Sequence, residues 1–293
     1  METLIFTVNN LMKRIVTVFM RQNKLTRYGL PLLIVIPLAY VLLYPEILRC
    51  HLIGYSPRFV PLADTTRTIY ISEGTPAPQQ QQLRENVKLA HERLRRYWSP
   101  LQGRAVLIYC RTPEDYNQYC VGGEGAGCSL GTPWGTSFLV LGPDGNNIDV
   151  IAHELCHDEL FARLGWLTVK RQIPQWFNEG LAMMVDYRFT PPNHSGSLDS
   201  VQRYRDFRDE WLYYTHGRQR VVKLTNLEST RDFFSGSYRQ VMLAYMTAGM
   251  EVSRWLMRVG RQSIPQLTAD VAEGDDFQDV YQRLEQQARS RRK

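Results

Sequence analysis

One pentapeptide, His153-Glu154-Leu155-Cys156-His157, restricts the folding options of this chain more than any other feature, because its two histidines act together only on a helix. Residues four apart lie on one helical face, so both imidazoles can reach a single ion. Glu154, one residue past the first histidine, points roughly a quarter turn away, where it can hold a water instead of ligating the ion. A catalytic zinc site takes three protein ligands and keeps a fourth position for water. The fold must therefore return a third donor to this helix. Glu179 lies 22 residues after His157, which leaves room for the first helix to end near Gly165, a connecting segment to run through Pro174 and a second helix to start near Gln175. Two packed antiparallel helices would bring Glu179 back to the ion. The expectation is a Zn2+ site with His153, His157 and Glu179 as ligands and Glu154 as general base. Cys156 faces away from both histidines on such a helix and reads as a small buried hydrophobe.

Hydrophobic periodicity and turn residues outline the remaining elements. Strands are expected at Thr68–Ile71, Ala105–Cys110 and Thr136–Leu141. A helix runs from the Pro/Gln-rich turn at residues 76–82 to about Trp98, a short one covers Pro113–Tyr119, and the motif helix covers about Asn147–Leu164. Residues 190–200 read as a loop. Four helices follow, Val201–Tyr214, Tyr238–Val259, Ile264–Val271 and Phe277–Ala288. The Gly-rich stretch Val121–Gly127 lacks the Gly-Lys-Ser/Thr ending of a phosphate cradle and reads as a surface connection near the cleft.

With the segment Trp176–Ala182, WFNEGLA, the chain resembles the gluzincin superfamily of zinc metallopeptidases, defined by HExxH and a downstream Glu in an NEG-type helix; in size and layout it is most similar to the small peptidase MA-like domain. The resemblance implies an α+β, thermolysin-like catalytic domain, with a small mixed sheet and the HExxH helix followed by a helical lobe. It implies ligands at His153, His157 and Glu179, a base at Glu154, and Asn178 beside the ligand Glu. Thermolysin has an Asp four residues after that Glu, where this chain has Met183. Asp186, seven residues on, matches an acidic position of the aminopeptidase branch and is expected to support a ligand. Tyr245, with Trp255, Leu256 and Gly260 after it, matches the family pattern for a Tyr that hydrogen-bonds the developing oxyanion; it can equally be a core residue on the face of Val241 and Val252. Ser137–Leu141 matches the strand at the cleft edge that pairs with an extended substrate. The amine-binding GxMEN motif of the aminopeptidase branch is missing upstream of His153, which favours an endopeptidase.

Residues 28–48 begin with 17 uncharged, largely apolar residues, Tyr28–Tyr44, and read as a single transmembrane anchor. Five basic residues and one acid precede it, so the amphipathic segment 1–27 is expected in the cytoplasm, against membrane lipid. Residues 49–66 are then a linker, and 67–293 a periplasmic or equivalent extracytoplasmic domain, divided into 67–165 and 166–293. Of the net charge of +6, that leading segment carries +4, and no basic-aromatic stripe exists, which argues against nucleic acid as a partner. Five cysteines in an exported domain point to at least one disulfide, with Cys120–Cys128 or a pairing through Cys110 as the options. The expected function is a membrane-anchored zinc metallopeptidase acting on a peptide or protein substrate. The competing class is a zinc-bound but inactive module that binds peptide or protein partners at the cell envelope.

Overall fold

The computed structural model describes residues 43–63, 68–120, 125–191, 199–217 and 222–291. The chain divides into two compact units at His51/Leu52. Of the first, the described part includes helix α1 (Pro45–His51). Most of the expected anchor, residues 28–42, and all of segment 1–27 lie outside the described residues, among which no helix is long and apolar enough to cross a membrane.

The second unit is α+β. Its strands are β1 (Phe59–Pro61), β2 (Ile69–Ser72), β3 (Val106–Tyr109), β4 (Gly127–Gly131) and β5 (Ser137–Leu141), in the spatial order β1-β2-β3-β5-β4. β2, β3 and β5 are parallel, with antiparallel strands at both edges. The helices α2 (Ala77–Leu94) and α3 (Pro113–Tyr119) supply the two parallel crossovers. After the sheet come α4 (Ile148–Leu164), α5 (Trp166–Gln172), α6 (Gln175–Met183), α7 (Ser200–Thr215), α8 (Thr230–Phe233), α9 (Tyr238–Val259), α10 (Ser263–Ala272) and α11 (Phe277–Ser290).

Three local expectations change. The linker 49–66 includes the end of α1 and the whole of β1; Arg58 pairs with Asp115 at 2.7 Å and Phe59 packs edge-on against Tyr119, so residues 58–61 belong to the sheet domain. A three-residue strand ending in proline has too little alternation to be read from sequence. Ser137–Leu141 is interior to the sheet, and the edge beside it is β4, whose Gly-Cys-Ser-Leu-Gly sequence lacks β-branched residues. The connection before Pro174 forms α5.

Helix α4 is central to the second unit. The Asn147 side chain caps it by accepting from Asp149 N at 2.7 Å, and Gly165, at φ 75°, ends it. It packs on α2, β4 and β5 on one side and on α5, α6 and α10 on the other, which accounts for the burial of nearly every residue from Val150 to Leu160. The sheet half and the helical half therefore share one core. Helix α9 lies against α6 and α7. At its crossing with α6 a Cβ on Gly180 would come within 2.5 Å of Ala248 O, so the glycine in WFNEGLA permits the two backbones to approach this closely.

Candidate metal centre

His153 and His157 project from one face of α4, and Glu179 meets them from α6. His153 Nε2 lies 3.2 Å and His157 Nε2 3.7 Å from Glu179 Oε2. One donor atom from each residue falls within 4.8 Å of the other two, and all three residues are buried. Donors this close and desolvated suit a shared cation.

The outer atoms of the ligands are also held. His157 Nδ1 is 2.9 Å from Asn178 Oδ1, and His153 Nδ1 is 3.2 Å from Asp186 Oδ2. With Nδ1 of each ring beside these oxygens, both imidazoles turn Nε2 toward Glu179, the nitrogen that would bind a metal once it has lost its proton. Gln175 Nε2 donates to Glu179 Oε1 at 2.7 Å and leaves Oε2 to face the histidines. The residues therefore fit a zinc ion by donor type, spacing and orientation. Burial alone would push His153 down, but its hydrogen bonds to Asp186 and Glu179 outweigh this and lift it to about 10. For Glu179, burial opposes ionisation, and the two histidines reverse that, leaving its carboxyl below the usual range.

Glu154 is buried next to the cluster without belonging to it. A Cβ on Gly127 would sit 3.1 Å from Glu154 Cγ, and Ser129 Oγ donates to the Glu154 carbonyl at 2.9 Å, so edge strand β4 passes directly over this residue. Tyr245, from α9, brings its ring centroid to 6.3 Å from that of His153. Its hydroxyl is held well above its ordinary pKa by burial and then by the charges of Glu179 and Glu154, with Arg188 opposing. Asn178, Asp186 and Tyr245 lie beside the three candidate ligands, and Cys156 is buried outside the group.

Compared with family models, curated proteins and solved structures, the chain matches none. The site is thus read from its own residues.

Four residues that sequence reasoning missed hold the turn that carries Asp186. Arg188 Nη2 donates to Asp186 Oδ2 at 2.6 Å and its Nε to Oδ1 at 3.0 Å. The fully buried Arg203, from α7, donates to the carbonyls of Met183 and Asp186 at 2.5 and 2.6 Å. Arg93, from α2, pairs with Asp149 of α4 and donates to Val185 O at 3.1 Å, while Asp149 accepts from Tyr187 N at 3.0 Å. Sequence offered no signal for these, since an isolated charged residue, whether on a helix (Arg93, Asp149, Arg203) or in a turn (Arg188), reads as solvated.

Proposed function

We propose that this chain is a zinc metallopeptidase of gluzincin type, anchored in a membrane with its domain on the outer side, that cleaves internal peptide bonds. The convergence of His153, His157 and Glu179, with Glu154 adjacent but outside the ligand set, carries this reading. His153, His157 and Glu179 would hold the zinc ion, which would supply Lewis acidity toward the scissile carbonyl and lower the pKa of water. Glu154 would take a proton from water as its oxygen bonds to the carbonyl carbon, and would deliver that proton to the leaving amine nitrogen as the C–N bond breaks. Tyr245 donates a hydrogen bond to the carbonyl oxygen as negative charge develops on it. The free edge of β4, lying over Glu154, suits an extended peptide that adds to the sheet through main-chain hydrogen bonds. The Cys120–Cys128 disulfide supports an oxidising compartment.

A carboxylate at Glu154 is unnecessary for metal retention, which favours the enzyme over an inactive zinc-bound module. Glu154→Gln should keep one zinc per chain and lose peptide hydrolysis, whereas His153→Ala, His157→Ala and Glu179→Ala should each lose the metal. Metal analysis beside cleavage of a denatured-protein substrate tests this; full activity in Glu154→Gln would refute the mechanism, and retained zinc in Glu179→Ala would remove the third ligand.

A further inference from the structure

A second cavity, of about 950 Å³, opens between α2 and the segment leading into β3, away from the histidine cluster. Its lining includes Arg84, Lys88, His91, Arg95 and Arg104, and no carboxylate among the described residues. Arg84, Lys88 and His91 fall at helical spacing on α2 and Arg95, at its C-cap, continues the stripe, with Arg104 on the other wall. None of Arg84, Lys88, Arg95 and Arg104 forms an ion pair among the described residues, although Arg84 Nε donates to Ala63 O at 3.2 Å. Some arginines elsewhere in this domain are matched with acids, as at Arg254 with Glu251 and Glu285 and at Arg283 with Asp270 and Asp275, whereas others, such as Arg111 and Arg239, donate to carbonyls. Four cations around one concavity, three of them exposed, raise the local positive potential and favour an anion there, with the carboxylates of Asp158 and Glu159 set behind the wall on protein donors.

The wall opposite α2 is rigid. Glu159 accepts from the backbone N–H groups of Gln102 and Gly103, both at 2.8 Å, and Asp158 accepts from Ala105 N at 2.9 Å. Arg163 pairs with Glu159 at 3.1 Å and Ser137 Oγ donates to Asp158 at 2.5 Å. These two buried carboxylates are committed to protein donors and fix the segment on α4. This wall of the cavity is thus held in place by α4.

We propose that this cavity binds a phosphate group carried on a small organic body. Guanidinium forks match phosphate oxygens in pairs, and the lysine adds a compact charge. The volume exceeds what a bare phosphate needs, and Val87 and Leu101 offer apolar contact for the carrier. A soluble phosphate ester and the headgroup of an anionic phospholipid share this chemistry.

The test uses the full chain and the variant Lys88→Glu/Arg95→Glu/Arg104→Glu, with Lys88→Gln/Arg104→Gln as a milder second form. Titration with glycerol 3-phosphate, followed by calorimetry, and binding to phosphatidylglycerol against phosphatidylcholine vesicles are compared at one ionic strength. Because each charge-assisted contact is worth roughly tenfold or more, the expected result is at least that loss in the triple variant and a smaller loss in the double. A loss confined to glycerol 3-phosphate identifies a soluble ligand, and one confined to phosphatidylglycerol vesicles identifies a lipid. Unchanged binding of both probes overturns the proposal, as does a variant-sensitive affinity for a single-stranded oligonucleotide without any for the phosphate probes. Unaltered zinc content and circular dichroism confirm that the variants fold.

Discussion

His153 lies between Asp186 and Glu179, and this position ties metal uptake to pH. In the metal-free chain its imidazole titrates at about 10 instead of 6.5, so at neutral pH it carries a proton that a cation must displace. Zinc affinity is therefore expected to rise with pH through the neutral range and to level off above about 10. Calorimetry at pH 7 in buffers of different ionisation enthalpy should detect release of about one proton from this group per zinc bound; uptake without proton release would contradict the His153 geometry. At Tyr245 the hydroxyl stays protonated, as a hydrogen-bond donor must. Tyr245→Phe keeps the ring between Phe233 and His153, so zinc content and stability should hardly change while kcat falls roughly ten- to a thousandfold with little change in KM. Wild-type activity in that variant would leave Tyr245 as a packing residue.

Among the elements, the α6–α9 crossing has the least tolerance. Glu179 is next to Gly180, whose added Cβ would meet both Ala248 O and Val252 Cγ2, at 2.5 and 2.7 Å. Backbone cannot yield as a flexible side chain does. Gly180→Ala is expected to separate the helices, cost about 1–3 kcal/mol and weaken zinc binding by moving Glu179. Thermal unfolding with and without zinc checks this, and an unchanged midpoint together with unchanged affinity would place the crossing elsewhere. Local signals made most helices readable. Tyr238–Val259 and Pro113–Tyr119 have the bounds expected from periodicity and capping, and α4 starts one residue after its Asn147 cap. Edge strands β1 and β4 were illegible because short strands owe their existence to a neighbour distant in sequence. The edge of the sheet on this side is consequently β4 and not β5.

Across the molecule, Cys120 and Cys128 are bridged, while Cys50, Cys110 and Cys156 are free and buried. Burial pushes Cys50 up to about 12 and Cys156 well above its ordinary value, which keeps both as inert thiols. Non-reducing mass analysis of protein recovered from membranes should find this one bridge, and protease added outside the membrane should digest residues 52–293. Five free thiols, or a protected C-terminus, would refute the outward orientation. Sequence by itself brought out His153, Glu154 and His157 on one helix and a second helix carrying Glu179, because i, i+4 spacing and helix punctuation are local properties. It also limited the fold to α+β through the order of its strands and helices. Tertiary structure alone decided which strand borders Glu154, which arginines clamp the Asp186 turn, and that five basic side chains share one cavity. Those outcomes depend on contacts between residues far apart in the chain, and hydrophobic pattern and local propensity carry no record of such partners.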